Sequence, residues 1–274
     1  MGKFDGILIC TDLDGTILRK DKSVSKENLD AVEYFKENGG RFTFVTGRMY
    51  FYSKETYDVI KPNAPIGCNN GGGIYDFEKG EYLWFETMDC EAGKAIMEMV
   101  DREMPGIGFN INTLHEALFC KDNDAMVRFR RLTGVENKTC DYRNLNESIG
   151  KIVFADLDGE NIKALTKLVS EHPMAERVGL IHSERTLFEV LPKGLNKGTV
   201  AMKIAEILNI DKNKTIAIGD FDNDVSMLKA AKIGIAVSNA SENAKKAADI
   251  ITVSNEEHAI ARVIYDIDNG IIEI

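Results

Sequence analysis

The apolar residues in the first part of the chain fall into short runs of strand length, separated by stretches with helical spacing. Strands are predicted over residues 6–11, 41–46 and 66–69, with helices between them over residues 26–38 and 49–60. Ser25 is a residue type that starts helices, and Gly39 is one that ends them. Strands that alternate with helices in this way are typical of a parallel sheet.

The same alternation returns near the end of the chain. Strands are predicted over residues 215–218, 234–237 and 250–253, and helices over residues 197–208, 226–231 and 242–248. Between residues 81 and 188 helices are mixed with pairs of short strands that suit hairpins. We therefore predict an α/β protein with a doubly wound, Rossmann-like parallel sheet as its core and an inserted α+β domain. The predicted limits are residues 1–80 and 189–274 for the core and 81–188 for the insertion.

Composition and charge exclude several classes of protein. The 274 residues are 44% hydrophobic and 28% charged, which is ordinary for a globular protein, and the formal net charge is −10. An acidic chain repels a nucleic-acid backbone unless its cations are clustered, and the sequence has no run of Lys and Arg. No apolar stretch approaches the length that crosses a bilayer. Nucleic-acid and membrane partners are therefore not expected, and no motif indicates an oligomeric state.

The five cysteines are spaced irregularly, without a Cys-x-x-Cys pair. An odd number at such spacings indicates neither a disulfide framework nor a zinc site, so we expect reduced thiols. The N-terminal segment has the pattern of neither a signal peptide nor a lipid anchor. We therefore expect a cytoplasmic protein.

Four short polar stretches follow predicted core strands or begin a helix, where open α/β sheets bind their ligands. They are residues 12–16 (DLDGT), 46–48 (TGR), 197–198 (KG) and 219–224 (GDFDND). Asp12 and Asp14 point the same way in an extended chain, and Gly15 allows a sharp turn after them. The hydroxyl of Thr46 and a helix N-terminus at Lys197 both suit an anionic oxygen.

The carboxylates in these stretches predict a cation. Asp12, Asp14 and Asp220 would together carry three negative charges, and a bound phosphate would add more. Each pair of like charges a few ångströms apart costs about 1 kcal/mol even in bulk water. A divalent cation is therefore expected, and oxygen ligands with a phosphate partner favour Mg²⁺ over zinc.

The four stretches, in this order, resemble the motifs of phosphatases of the haloacid dehalogenase (HAD) superfamily, and the insertion resembles the type IIB cap of its Cof-like members. The resemblance covers the whole chain. It implies that Asp12 is a nucleophile that forms an aspartyl-phosphate and that Asp14 is the general acid and base. It implies Mg²⁺ held by the Asp12 carboxylate, the Asp14 backbone carbonyl and Asp220. Asp224 would orient Lys197 or a metal-bound water. The residues implied at the phosphoryl oxygens are Leu13, Thr46, Gly47, Lys197 and Asn223.

Two patterns compete with these assignments. Residues 156–159 (DLDG) repeat the first motif, but Glu160 follows where the motif has Thr, so we predict a turn at the end of a strand. Lys193 lies four residues before Lys197 and could take its place. We favour Lys197 because it opens the predicted helix.

The resulting hypothesis is a Mg²⁺-dependent phosphatase that hydrolyses small phosphorylated metabolites. Sugar phosphates are the first candidate class, followed by nucleotide, flavin and pyridoxal phosphates. A phosphomutase on the same scaffold and a non-catalytic protein that binds phosphorylated metabolites remain alternatives. Polar residues of the insertion would select the substrate, and the candidates are Asn110, Asn112, His115, Arg128 and His182.

Overall fold

A computed structural model of the chain describes residues 2–274. It divides into two compact units, a core unit (residues 2–84 with Asn196–Ile274) and an inserted unit (Phe85–Leu195). The predicted domain limit at residue 81 is the first residue of one strand, and the limit at residue 188 is the second residue of another.

The helices and strands follow one another in three segments. The first segment contains β1 (Leu8–Thr11), α1 (Lys26–Glu37), β2 (Arg41–Phe44), α2 (Lys54–Ile60), β3 (Ile66–Cys68), β4 (Gly73–Asp76) and β5 (Glu81–Phe85). The second contains α3 (Cys90–Glu103), β6 (Gly108–Asn112), β7 (Ala117–Lys121), α4 (Asp124–Thr133), β8 (Lys151–Ala155), α5 (Gly159–Ser170), β9 (Val178–Glu184) and β10 (Leu187–Pro192). The third contains α6 (Lys197–Ile207), β11 (Thr215–Gly219), α7 (Val225–Ala230), β12 (Ile233–Ala236), α8 (Glu242–Ala247), β13 (Ile250–Ile251) and α9 (Ala259–Asp268).

The main sheet of the core unit has five parallel strands in the order β13–β12–β11–β1–β2. β1 and β11 are buried along their whole length, and their apolar runs lack the polar alternation of a half-exposed strand. Helix α1 packs against β2, and α7 packs against β11 and β12. The prediction of a doubly wound α/β core is therefore confirmed.

The order of the strands explains how the polar stretches meet. β1 lies between β2 and β11, so Thr11 has Phe44 on one side and Ile218 on the other. Because the three strands are parallel, their carboxyl ends lie at one edge of the sheet. The loops that begin with residues 12, 45 and 220 start at this edge.

The third predicted strand of the core, β3, is expected in the parallel sheet but belongs to a different sheet. A single parallel bridge between Val45 and Gly67 links β3 to the chain after β2, and β3 otherwise pairs antiparallel with β4. The turn between β3 and β4 has Asn69 and Asn70 at positive φ, which folds the chain back on itself. β3, β4 and β5 therefore form a separate small sheet.

The inserted unit has one antiparallel sheet in the order β7–β6–β8–β10–β9. Its apolar side chains include Phe109 and Phe154, whose ring centres lie 5.5 Å apart. Along β6, Phe109 and Ile111 alternate with Asn110 and Asn112, so apolar and polar side chains lie on opposite faces of the sheet. Every helix within residues 2–274 is too short or too polar to cross a membrane.

Candidate active site

Lys197 lies between two carboxylates in the interior of the core unit. Its Nζ donates to Asp12 Oδ1 and to Asp224 Oδ1, each at 2.6 Å, and the side chain is 1% exposed. Burial alone would lower the pKa of Lys197, but the two carboxylates outweigh it and raise the pKa above its usual value. The lysine is therefore a fixed cation beside Asp12. Lys193, the competing residue, is exposed.

The local sequence places Lys197 at the first position of α6. The Asn196 side chain accepts from the Thr199 backbone N–H at 3.0 Å, and Thr199 Oγ1 accepts in return from the Asn196 backbone N–H at 2.9 Å. This reciprocal capping fixes the helix start. It also leaves the positive end of the helix dipole next to the lysine, which suits a bound anion.

Asp12, Asp220 and Asp224 form a carboxylate cluster that fits a metal ion. Each offers one oxygen, and the three oxygens lie within 4.8 Å of one another. Burial raises the pKa of Asp12 well above its usual range, with Lys197 opposing the shift and the other carboxylates adding to it. Burial and the nearby Asp224 raise the pKa of Asp220 to about 7. Because ionised carboxylates at this spacing repel one another, a divalent cation bound to these oxygens would stabilise them.

Asp224 differs from the other two carboxylates in how its oxygens are used. Its Oδ2 accepts from the backbone N–H groups of Asp220 and Phe221, at 2.9 and 3.0 Å, while its Oδ1 accepts from Lys197. These bonds hold the loop after β11 and the lysine in fixed positions. Asp220 instead accepts at Oδ1 from the hydroxyl of Thr16, at 2.7 Å.

Gly15 allows the first motif to approach Asp220. Its φ is +83°, in the left-handed region that favours glycine, and an added Cβ would collide with the Asp220 carboxylate. The Asp-Gly step of the first motif therefore has a steric reason in this fold.

Asp14 is held by two cations that the sequence analysis gave no role. Arg48 donates from Nε to Oδ2 at 2.9 Å and from Nη2 to Oδ1 at 2.7 Å, and Lys22 Nζ contacts Oδ1 at 2.7 Å. Burial raises the pKa of Asp14, but the charges of Arg48 and Lys22 outweigh it and leave the pKa below its usual value. These two contacts therefore favour the ionised form of Asp14. Arg48 belongs to the TGR stretch, whereas no pattern in the sequence signals Lys22.

The remaining predicted residues lie around the same edge of the sheet. Thr46 is buried, and its Oγ1 accepts from the Arg48 backbone N–H at 3.2 Å. Asn223 Nδ2 donates to Asn70 Oδ1 at 3.0 Å, and a Cβ on Gly47 would lie 2.9 Å from Asn70 Nδ2.

Asn70, which the sequence analysis left without a role, therefore lies between the second and fourth motifs. Its signal is an asparagine that precedes a glycine tract after a strand. The side chain of Leu13 is buried in the core, and its carbonyl accepts from the backbone N–H groups of Thr16 and Leu18.

The second DLDG copy is a helix start in the inserted unit. Asp158 Oδ1 accepts from the Glu160 backbone N–H at 2.9 Å and caps α5, and Asp156 Oδ1 accepts from the Asp158 backbone N–H at 2.8 Å. The predicted turn is therefore confirmed, and it leads directly into a helix.

One face of the sheet in the inserted unit carries buried polar side chains. Strand register places Asn112 opposite Lys151, and Asn110 and Glu189 on either side of Val153. Lys151 Nζ and Glu189 Oε2 form a buried ion pair at 3.0 Å.

The side-chain amide of Asn110 and the Oδ1 of Asn112 are buried, with no hydrogen-bond partner among residues 2–274. Buried polar atoms normally find partners, so this face offers unused donors and acceptors. His115 and Arg128 are exposed, while His182 Nε2 lies 2.7 Å from Thr166 Oγ1 of α5, on the opposite face.

Comparison with known proteins identifies the family. The model of the haloacid dehalogenase-like hydrolases matches residues 9–264. A Bacillus subtilis protein named 5-amino-6-(5-phospho-D-ribitylamino)uracil phosphatase is 29% identical, over 96% of this chain and 98% of the relative. An Escherichia coli pyridoxal phosphate phosphatase is 26% identical, over 94% of this chain and 97% of the relative.

A solved structure described as a sugar phosphatase of HAD subclass IIB superposes with a TM-score of 0.81 at 22% identity, covering 97% of this chain and 100% of that one. At this identity the match establishes the fold alone. With a family match over nearly the whole chain and curated relatives that are phosphatases, the chain belongs to the haloacid dehalogenase-like hydrolases and is a Cof-like phosphatase of that superfamily.

Proposed function

We propose that this protein is a Mg²⁺-dependent phosphatase that hydrolyses small phosphorylated metabolites through an aspartyl-phosphate on Asp12. The observation that carries the proposal is Lys197, which lies buried between Asp12 and Asp224 beside a three-carboxylate cluster. A fixed cation next to a nucleophilic carboxylate lowers the repulsion that an incoming phosphate dianion would meet. We also propose that the core unit carries the reaction and that the inserted unit is its cap.

In the proposed reaction, an oxygen of Asp12 attacks phosphorus while the bond to the leaving alcohol breaks. Asp14 in its protonated form gives its proton to the leaving oxygen, and the ionised form that results takes one from the water that hydrolyses the aspartyl-phosphate. Arg48 and Lys22 favour the ionised form of Asp14, which is the form that the water step needs. Lys197, Thr46, Asn223 and the amides of Leu13 and Gly47 bind the phosphoryl oxygens.

The metal proposal is supported by the donor set. Mg²⁺ held by the Asp12 carboxylate, the Asp14 backbone carbonyl and Asp220 would offset the negative charge that builds up on the transferring phosphoryl group. Asp224, whose oxygens already accept three hydrogen bonds, would orient Lys197 and the loop that carries Asp220.

The proposed substrates are phosphate esters of hydroxylated molecules, with sugar phosphates first. Asn110 and Asn112 support this class, because their unpartnered amide atoms can hydrogen-bond to hydroxyl groups. The name of the Bacillus subtilis relative describes a phosphate on a ribityl chain, which also carries several hydroxyls. We also propose a cytoplasmic location, which is supported by the odd number and irregular spacing of the five cysteines.

The test is the release of inorganic phosphate from a panel of sugar, polyol, nucleotide, flavin and pyridoxal phosphates, with Mg²⁺ and with EDTA. Asp12→Asn is the control, because it removes the nucleophile and keeps the shape of the side chain. We expect release that needs both Mg²⁺ and Asp12, with one phosphate per alcohol formed. Turnover equal to that of Asp12→Asn would refute the proposal, and a product that keeps its phosphate on a second hydroxyl would identify a mutase.

A further inference from the structure

Cys120 and Cys140 bring two thiols into contact in the inserted unit. Cys120 lies on β7, and its Sγ is 3.3 Å from the Sγ of Cys140, which is twenty residues further along the chain. Both side chains are half-buried, whereas Cys10 and Cys68 are buried and Cys90 is exposed. The pair is therefore close together and still partly accessible to a small reagent.

The backbone around the two thiols holds them together. The Phe119 N–H donates to the Lys138 carbonyl at 2.7 Å, and the Cys140 N–H donates to the Phe119 carbonyl at 3.0 Å. The bridge between Phe119 and Thr139 places residues 138–140 along the outer edge of β7, which is the edge strand of its sheet. Adjacent strands lie about 4.8 Å apart, within the range of about 4.4–6.8 Å that disulfides span between Cα atoms.

We propose that Cys120 and Cys140 form a reversible dithiol–disulfide site that reacts with low-molecular-weight disulfides such as oxidised glutathione. The bonded length of a disulfide is about 2 Å, so the two sulfurs need to close by roughly 1 Å, a movement that side-chain rotation can supply. The resulting disulfide would covalently join residues 138–140 to β7.

The two sulfurs differ in their roles. Hydrogen bonding between the two thiols lowers the pKa of Cys140, although burial and the charges of Asp141, Glu147 and Glu116 act against the shift. The same contact and burial raise the pKa of Cys120. In the proposed exchange Cys140 is the attacking sulfur, since the thiolate is the nucleophile.

The exchange is balanced without any other reactant. The Cys140 thiolate attacks one sulfur of oxidised glutathione, forms a mixed disulfide and releases one glutathione thiolate. The sulfur of Cys120 then attacks the Cys140 sulfur, and the second glutathione leaves with the proton of Cys120. Two electrons pass from the protein dithiol to glutathione disulfide, which becomes two molecules of glutathione.

The test treats the folded, full-length protein with oxidised glutathione, stops the reaction with acid and alkylates the remaining thiols. In the wild type we expect two of the five thiols to be lost, the mass to fall by that of two hydrogens, and a peptide map to link Cys120 to Cys140. Dithiothreitol should restore all five. Because the readout is the thiol chemistry, the result does not depend on the proposed phosphatase activity.

Two serine variants separate the expected result from general thiol reactivity. Cys90→Ser is the matched control and should still form the link. Cys120→Ser should not form it and should instead accumulate one glutathione on Cys140, because the second step is missing. The proposal is overturned if the folded wild type keeps both thiols, if the link forms only in urea, or if wild type and Cys120→Ser give the same products.

Discussion

At the scale of single residues, Lys197 has a buried ammonium whose position depends on two carboxylates. Replacing it with methionine keeps much of the side-chain volume and leaves Asp12 without its cation. Removing a group that stabilises charge in a transition state commonly lowers turnover by about 10²–10³-fold. We expect Lys197→Met to lower kcat for a small aryl phosphate by about 10²-fold or more, measured by phosphate release with saturating Mg²⁺.

The control for this prediction is Lys193→Met. This lysine lies four residues away and is exposed, so the variant loses the same charge without touching the buried site. Its kcat should stay within about twofold of the wild type, as expected for a surface substitution away from the site. Equal losses in the two variants would show that net charge, and not the buried contact, governs the rate.

A second prediction at this scale concerns Gly15. Gly15→Ala introduces a Cβ that collides with the Asp220 carboxylate, in addition to the strain of φ +83°. Displacing a metal ligand through a neighbouring group typically weakens metal affinity by about 10–100-fold. We therefore expect the Mg²⁺ concentration that gives half-maximal activity to rise by about tenfold or more.

Gly80→Ala separates these two causes. Gly80 also lies in the core unit with a φ of +73°, but an added Cβ would meet no atom within 4 Å. The variant carries the backbone strain alone and should keep the Mg²⁺ dependence of the wild type. A similar increase in both variants would argue against contact with Asp220 as the cause.

At the scale of elements, the two DLDG copies show why a motif needs its surroundings. The copy after β1 faces the ends of β2 and β11, whereas the copy after β8 begins α5, where Asp158 accepts from a backbone N–H. Replacing an aspartate at a helix start with alanine typically costs about 1 kcal/mol. Asp158→Ala should lower the free energy of unfolding by this amount in urea titration and leave kcat unchanged. A large loss of activity without loss of stability would contradict this assignment.

Most elements of the core could be predicted from the sequence, but the place of one strand could not. The core strands β1, β2 and β11 follow from their apolar runs. Asp12 and Asp220 meet, and Thr46 lies at the same edge of the sheet, because neighbouring parallel strands end there. The place of β3 depends instead on the backbone of Asn69 and Asn70, which apolar spacing does not encode.

Local sequence patterns also do not predict the two residues that bind Asp14. Lys22 reaches it from a turn closed by hydrogen bonds between Arg19 and Ser23 and between Lys22 and Arg19, and its contact depends on how that turn packs. Arg48 lies within a recognised motif, but its bidentate contact needs the relative positions of β1 and β2. Contacts between segments remote in sequence are set by the tertiary fold, not by local spacing.

At the scale of the whole molecule, the carboxylates that would hold the metal come from opposite ends of the chain. Asp12 follows β1 and Asp220 follows β11, so the cluster exists only when the core unit is folded. A ligand that binds the folded state alone stabilises it by about 2.7 kcal/mol when its concentration is 100 times its Kd. We therefore expect Mg²⁺ to raise the Tm of the protein in a manner that saturates with concentration.

A net charge of −10 attracts divalent cations without a specific site, so the test needs variants of equal charge. Asp220→Asn removes a carboxylate of the cluster, whereas Asp222→Asn removes an exposed one that bonds to Ser241 and Asn243. Calorimetry should show the Mg²⁺-dependent rise in Tm for Asp222→Asn and not for Asp220→Asn. Without Mg²⁺, Asp220→Asn should unfold at a higher temperature than the wild type, because it relieves the repulsion among the three clustered carboxylates. A rise that survives in Asp220→Asn would place the bound cation elsewhere on the acidic surface.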